Sequence, residues 1–479
     1  MGFKKSTIKK SPNTEQSALI PNLLGIIAIV IIILIGFYFI QNTQIFDFKI
    51  DKKDSLNPKI QNNKNQVSVK KEIEEKEQLK GKMNILIVGR GGGGHDAADL
   101  TDTIILASIN SEDKIISMLS IPRDTYIQYP GKNKKSYGRI NGLYSKSTIE
   151  NKSKKIGMDN LKEKITEMTG EKIDFYINVD FEGFKTIIDT IGGVEINIPE
   201  NFVDDRYPDG NWGYRTLVFK KGTWIFDGEN ALKYSRSRHS TSDFDRSIRQ
   251  QQVIKAIKDK LTGNYFLKSP LKIKALYNVF KEYVDTDLSL TTLLKISYTL
   301  NTKGDYKIVS SNLNNSCFYG SSSCTKGGFL YTPERSAFGG MSVQLIEGTN
   351  IKNLNNFEVL NKFSDIVFNN PKVFTENFKI NIFNGTKLKN TASIISNDLI
   401  KYGFNIPMKK SIGNADKNYV NSIIYYNGIN ENSDTIKALK KLFTGEFKKT
   451  DLPYFSTDNA EIEIVIGEDF KGKNNPFKF

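Results

Sequence analysis

The chain has 479 residues, 38% hydrophobic and 25% charged, with 30 Phe and 21 Tyr, which is apolar material for two or three folded units and excludes wholesale disorder. Its formal charge of +15 calls for an anionic partner, but nucleic acid, anionic lipid and anionic surface polymers all meet that demand. The only histidines, His95 and His239, lie far from Cys317 and Cys324, which disfavours a zinc site there.

Residues 1–18 form a short tail containing Lys4, Lys5, Lys9 and Lys10. The segment 19–40, "LIPNLLGIIAIVIIILIGFYFI", follows without a single charge and is long enough to cross a bilayer as a helix. The positive-inside bias then predicts a cytoplasmic N-terminus and an extracytoplasmic remainder. A cleaved signal peptide is the competing reading; the apolar run exceeds the usual length of such a segment and no A-x-A-like site follows it. Residues 41–81 are polar and rich in Asn, Lys and Glu, and read as a flexible stalk. Outside the cytoplasm, Cys317 and Cys324 in "SCFYGSSSCTKGG" can form a disulfide or remain two thiols.

From residue 82 the pattern changes to strands and helices. "NILIVG", "DTIILASIN", "KIISMLSI", "KIDFYINV" and "VEINIP" read as strands, with helices at "NLKEKITEMTG", closed by Gly170, and "FEGFKTIIDTIGG". The expected architecture for 82–262 is an α/β or α+β domain with a central mixed sheet flanked by helices. Residues 263–375, with helical patterns in "PLKIKALYNVFKEYV" and "SLTTLLKISYTLN", are expected to be a helical extension and linker. Residues 376–470 read as a smaller α/β module, with strands at "FKINIFNGT", "YVNSIIYYNG" and "EIEIVIGEDF". Its helices are expected at "NTASIISNDLIKYGFNI", closed by Gly403, and "NSDTIKALKKLF", capped by Ser433 or Asp434.

Gly89, Gly91 and Gly94 formally satisfy G-x-G-x-x-G, but an acidic stretch and another strand follow where a dinucleotide site needs a helix. Asp96, Asp99 and Asp102 sit there instead, and carboxylates of this kind suit Mg²⁺ or Mn²⁺ shared with substrate phosphates. "SIPRDTY" places Arg123 and Asp124 just after a strand, where sites tend to be built. "YSRSRHSTSDFDRSIRQQ" carries Arg236, Arg238, Asp243, Asp245, Arg246, Arg249 and Gln250 into an apolar helical pattern. On a helix starting near Asp245, Arg246, Arg249 and Gln250 share a face with Val253, Ile254, Ile257 and Leu261. Guanidinium groups aimed at a core need an anion, and forked donors at a helix mouth suit phosphate. A structural network of Arg246 and Arg249 with Asp243 and Asp245 is the alternative.

Together these segments, with "RINGLY" and "FDGENALKYSRSRHSTSDFDRSIRQQQVI" in the same order, resemble the LytR-CpsA-Psr domain of bacterial enzymes that attach glycopolymers to the cell wall. The second unit resembles the LytR C-terminal domain. The resemblance implies a bacterial membrane-anchored phosphotransferase that moves a glycan phosphate from a polyprenyl-pyrophosphate carrier to a peptidoglycan sugar hydroxyl. Its partners would be the lipid-linked glycan, peptidoglycan and the membrane, with no nucleic acid. By motif position, Arg123, Arg238, Arg246 and Gln250 would grip the pyrophosphate, with Arg236 and Arg249 nearby. Asp102 would hold Mg²⁺, with Asp96 or Asp99 assisting, and Asp243 would orient the arginines or join the metal site. A greasy tunnel for the lipid would draw on "FEGFKTIIDTI" and "VIKAIKDKL". The chain departs from the family's usual pattern where Gly91 replaces an aspartate and Arg139 a lysine. A polyprenyl-pyrophosphate pyrophosphatase and a non-catalytic binder of anionic wall polymer would use the same clamp; a DNA-binding regulator would need the domain on the cytoplasmic side.

Overall fold

The computed structural model describes residues 81–92, 98–131, 136–209, 213–237, 270–289, 306–317, 324–407, 411–454, 460–471 and 476–477, with positions 249, 252–253, 256–257, 259–260, 292, 295–296 and 299–300 between them. Asp96, Arg238, Asp243, Asp245, Arg246 and Gln250 lie outside the described residues, as does the apolar segment 19–40. Among the described residues no helix is long and apolar enough to cross a membrane.

The apolar runs at the start of the first unit become the centre of a six-stranded mixed sheet. Strands β1 (Lys82–Arg90), β2 (Thr101–Asn110) and β3 (Ile115–Ser120) pair antiparallel in sequence. Outside this sheet β4 (Tyr126–Tyr129) pairs with β5 (Ser136–Arg139), and β13 (Leu330–Tyr331) with β14 (Leu345–Ile346). Beside β1 lies β6 (Phe175–Asp180), parallel to it, and β12 (Lys307–Asn312) runs parallel to β3. With β11 (Val284–Thr286) on the outer edge of β6, the order is β11-β6-β1-β2-β3-β12.

Strand alternation splits the core in two. Leu86, Val88, Ile104 and Leu106 face one layer, formed with Leu143, Tyr144, Met158, Leu161 and Ile165 of helices α1 (Leu143–Asn151) and α2 (Lys154–Thr169). Ile85, Ile87, Ile105 and Ala107 face the other, against α3 (Phe181–Thr190), α4 (Gly228–Arg236) and α5 (Pro270–Tyr283). Gly170 ends α2 at φ 73, a left-handed position that glycine adopts without steric cost.

Strand β7 (Val194–Ile198) leaves the main sheet and pairs with β10 (Gly222–Phe226) as a ribbon, beside a second ribbon of β8 (Phe202–Pro208) and β9 (Tyr214–Phe219). The stretch expected to be a helical extension and linker does more than that. It supplies both edge strands of the main sheet, so the sheet continues well past residue 262. Both strands are short and polar at one end, and an edge strand needs apolar alternation on fewer positions than a central one.

The smaller unit is a five-stranded mixed sheet, order β16-β15-β19-β17-β18, with β15 (Ile380–Asn384), β16 (Ile412–Asn414), β17 (Ile423–Tyr426), β18 (Glu446–Lys449) and β19 (Ile462–Ile466). Its helix Asp434–Leu442 is capped by Ser433, which accepts from the Ile436 amide at 3.2 Å. Phe329, Phe363 and Tyr402 meet tilted or edge-on with centroids 5.0 to 6.4 Å apart, and through them the cores of the two units are continuous. Cys317 and Cys324 are joined by a disulfide.

Candidate functional site

The carboxyl end of β1 gathers the charged groups. Parallel pairing puts Arg90 abreast of Asp180, the last residue of β6. Antiparallel pairing with β2 shifts register at Gly89/Arg90: Gly89 faces Thr103 and Arg90 faces Thr101, so Asp102 is the extra residue of a bulge. A bulge re-aims the side chain it frees from the ladder. On the next strand Ile105 faces Ser120, so Asp102, three residues before Ile105, lies across from Arg123, three residues after Ser120.

Arg123 Nη1 accordingly donates to Asp102 Oδ1 at 2.8 Å. The turn that presents it is closed by Thr125, whose amide and hydroxyl both donate to the Pro122 carbonyl, at 3.0 and 2.7 Å. Asp124 sits between two arginines, 3.8 Å from Arg123 Nε and 3.3 Å from Arg139 Nε. Arg139, standing where the family's lysine is expected, also donates from Nε to the Ser342 carbonyl at 3.1 Å. Burial pulls the Arg123 pKa down, but the charge and hydrogen bond of Asp102, with Asp124 behind it, hold it above its ordinary value. The Arg123 side chain remains 40% exposed and that of Asp102 32% exposed, so the pair is open to solvent.

Beside it, Arg90 spans Asp99 (Nη1 to Oδ1, 3.2 Å) and Asp180 (Nη2 to Oδ2, 3.3 Å). The other oxygen of Asp180 accepts from the Gly183 amide at 2.8 Å and caps α3. The start of the glycine-rich stretch packs here. Gly92, at φ +82, lies so close to Asp180 that a Cβ on it would come within 2.7 Å of the aspartate Cβ. Gly92 therefore lets the backbone lie against a carboxylate.

Arg236, the last residue of α4, lies over the ring of Phe181, 4.4 Å from its centroid, and 5.9 Å from that of Tyr207. Phe181 directly follows Asp180, so Arg236 joins the same edge of the domain. Arg249 is placed differently: 6% exposed, it donates to the carbonyls of Tyr234 (3.2 Å) and Ser237 (2.6 Å), and its guanidinium carbon is 4.5 Å from the Phe202 ring centroid. Arg249, Val253 and Ile257 are all buried in helical backbone at spacings of four, which is the apolar-facing stripe that the helical wheel implies. The structure thus brings Asp102, Arg123, Asp99 and Arg236 to one edge and sets Arg249 beneath it, holding the backbone that leads into Arg236.

Sequence reasoning missed Arg90 and Asp180. A capping aspartate between a strand and a helix was a visible signal for Asp180; Arg90 had none. For a divalent cation, the carboxylate of Asp102 is half-exposed and suited to share the ion with phosphate oxygens. Asp99 is turned to Arg90. Among the described residues no three His, Cys, Asp or Glu side chains converge as a metal set.

Residues 377–470 match the family described as LytR cell envelope-related transcriptional attenuator. The chain is similar to the polyisoprenyl-teichoic acid–peptidoglycan teichoic acid transferase TagV of Bacillus subtilis, 32% identical over 193 residues that cover 40% of this chain and 46% of that protein. It is also similar to the TagU transferase of the same description from Oceanobacillus iheyensis, 32% identical over 225 residues covering 47% of this chain and 64% of that one. The chain therefore spans about half the length of these curated relatives. A crystal structure of B. subtilis TagV aligns with 61% of this chain and 99% of that chain at 26% identity and a TM-score of 0.40. The LytR_cpsA_psr family model matches residues 43–347, more than half of the sequence and through both edge strands of the main sheet, and the chain belongs to that family.

Proposed function

We propose that the protein is a single-pass membrane enzyme, anchored by residues 19–40 with its N-terminus inside the cell, that moves a glycopolymer phosphate from a polyprenyl-pyrophosphate carrier to a peptidoglycan sugar hydroxyl. The names of its relatives, transferases of polyisoprenyl-linked teichoic acid to peptidoglycan, support the reaction class. The observation that carries it is the open Arg123–Asp102 pair at the bulge, with Arg236 at the same edge.

A diphosphate brings more negative charge than Asp102 offers, and Arg123 has further N–H donors on a half-exposed fork with which to meet it. Arg236 lies over Phe181, its guanidinium carbon 4.4 Å from the ring centroid, a contact that leaves its N–H donors for a ligand; among the described residues it makes no ion pair. Arg238, Arg246 and Gln250 complete the clamp in this reading, and Asp243 orients it. The sugar hydroxyl attacks the glycan-bearing phosphorus, a new P–O bond forms as the anhydride P–O bond breaks, polyprenyl phosphate leaves with the electron pair, and the hydroxyl's proton passes to that departing phosphate. Fixed cations that meet the charge on the transferring group are the main catalytic contribution available to such a site. Asp102 would hold Mg²⁺ or Mn²⁺, which when bound supplies further neutralisation of the phosphoryl oxygens.

The test is mass spectrometry of full-length protein incubated with a polyprenyl-pyrophosphate oligosaccharide, peptidoglycan fragments and Mg²⁺. A phosphodiester-linked glycan is expected, reduced about 10²–10³-fold by Arg123→Ala, the usual cost of one preorganised donor to a developing anion. Carrier that binds without ever yielding linked glycan or polyprenyl phosphate would replace this reading with a polymer-binding one. Release of free glycan phosphate alone would make the enzyme a pyrophosphatase.

A further inference from the structure

Asp99, Asp102, Asp124 and Asp180 each face an arginine at the candidate site, but the arginines are held in two different ways. Arg123, 40% exposed on its turn, can swing from Asp102 toward a ligand. Arg90 is 13% exposed and has no such freedom. As the last residue of β1 it has β2 on one side and β6 on the other, and it divides its Nη groups between Asp99 and Asp180.

The surroundings of Arg90 are built to keep both carboxylates on it. Asp180, 16% exposed, has both oxygens engaged: Oδ2 accepts from Arg90, and Oδ1 accepts from the Gly183 amide at the start of α3. The Gly92 amide donates to the Ala98 carbonyl at 2.8 Å, which returns the chain to the edge one residue before Asp99. The Arg90 Nε–H is buried with no hydrogen-bond partner among the described residues, so the two carboxylates are what place this guanidinium. Swinging it outward would strand the mostly buried Asp180 carboxylate without its counter-charge, a costly state.

A cation fixed in this way repels a second cation. Mg²⁺ is commonly bound through one or two carboxylates together with substrate phosphates, and a guanidinium already seated on a carboxylate weakens what that carboxylate offers the ion. Asp102 differs, because its partner Arg123 can turn away to a diphosphate. We propose that Arg90 is a positioning residue that keeps Asp99 and Asp180 out of a divalent cation's coordination, so that the ion is held by Asp102 and the carrier's phosphates together and binds only weakly to the protein by itself. This rests on the reading above that Asp102 shares the ion with a diphosphate. The sequence alone points the other way, since Asp99 stands three residues before Asp102 and is the obvious second ligand.

Mn²⁺ is the probe, titrated into the full-length protein in detergent without carrier and followed by the electron paramagnetic resonance signal of the free ion. Arg90→Gln is expected to bind Mn²⁺ about tenfold more tightly than the wild type, the order of effect of deleting one positive charge near a divalent ion. Arg90→Lys keeps the charge and should stay close to the wild type. Asp99→Asn should change nothing while Arg90 is present and should remove the gain in the Arg90→Gln background, as should Asp102→Asn. Thermal melting establishes that each variant is folded, and Asp99→Asn, at a more exposed side chain, keeps the test decisive where Arg90→Gln does not fold. Unchanged affinity in folded Arg90→Gln overturns the proposal. So does weaker binding in Asp99→Asn alone, which makes Asp99 a ligand despite Arg90, or a gain in Arg90→Lys as large as in Arg90→Gln, which removes charge as the cause. A gain that survives Asp102→Asn puts the ion elsewhere and also overturns it. The expected Mn²⁺ pattern in a protein that never yields linked glycan or polyprenyl phosphate leaves this inference intact and removes the transferase reading; transfer by an enzyme whose Mn²⁺ affinity ignores Arg90 does the reverse.

Discussion

Two clusters in this protein set one cation against two carboxylates, and they differ chiefly in what surrounds them. At the candidate site Arg123 has Asp102 at 2.8 Å and Asp124 at 3.8 Å. Between the two folded units Lys401 has Glu347 and Asp398, each at 2.9 Å. The Arg123 side chain is 40% exposed, that of Lys401 only 9%. Burial opposes the charge on both, and neighbouring carboxylates raise both pKa values above the ordinary ones. The Arg123 cation is presented to solvent and can meet a ligand's oxygens, whereas the Lys401 cation is buried and held between its two carboxylates. Exposure, not charge content, separates a binding cluster from a fastener.

Lys401→Met breaks or sharpens this contrast with the largest expected effect on stability. Glu347 belongs to the main domain and Lys401 to the helix Thr391–Lys401 of the smaller unit, so the substitution unfastens the two while leaving Asp398 in an apolar setting. Breaking such a pair costs roughly 3 kcal/mol, near the low end for a buried ion pair because Glu347 is partly exposed. Denaturant unfolding should show that loss with catalysis per folded molecule kept, whereas Arg123→Ala should lose catalysis and little stability. The reverse pattern would dissolve the distinction.

Arg249 lies between these extremes. It donates to the Tyr234 and Ser237 carbonyls, so Arg249→Met removes two buried hydrogen bonds and is expected to cost about 2 kcal/mol. It should also lower activity through the looser placement of Arg236, with the rise in KM exceeding the fall in kcat. Lys at this position cannot serve both carbonyls with the same planar fork, so Arg249→Lys should recover only part of the stability. A variant that binds carrier normally but turns over a hundredfold more slowly would place Arg249 in contact with the reacting phosphate instead.

Much of the fold is written locally. The runs around Ile85–Val88 and Ile104–Ala107 are buried on both sides of a sheet, and such strands appear as continuous apolar stretches. Gly170, Gly403 and Ser433 stop or start helices by backbone rules that act over a few residues. Of the site, Asp102 and Arg123 were legible because each stands at the end of an obvious strand. Arg90 with Asp180 was not, since the two lie 90 residues apart and meet only because β1 and β6 run parallel in one register. The departure of β7 from the main sheet has the same origin: its alternating pattern specifies a strand and leaves the partner open.

Opposite pH dependences should come from two buried groups outside the site, and their opposite signs make them a sharp check on the role of burial. Glu463, the second residue of the central strand β19, is fully buried, with Oε2 accepting from the Tyr454 amide at 2.9 Å and Oε1 without a partner among the described residues. Burial pushes its pKa up to about 7 against the pull of that amide. The folded state then holds this proton more tightly than the unfolded chain, so stability present below the ordinary value of 4.5 is lost as pH rises through about 7. Lys326 donates to the Ser310 carbonyl at 2.6 Å and lies 4.5 Å from the Phe374 ring centroid, where burial pulls its pKa down to about 7. Here the unfolded chain holds the proton more tightly between about 7 and the ordinary 10.5, so stability rises with pH across that interval. The melting temperature, followed across both intervals, should therefore carry two contributions of opposite slope that meet near neutrality. Glu463→Gln should flatten the acidic limb and leave the alkaline one, and Lys326→Met the converse. If both variants keep both limbs, the titrations belong to other groups, and burial at these two positions is not what sets the pH profile.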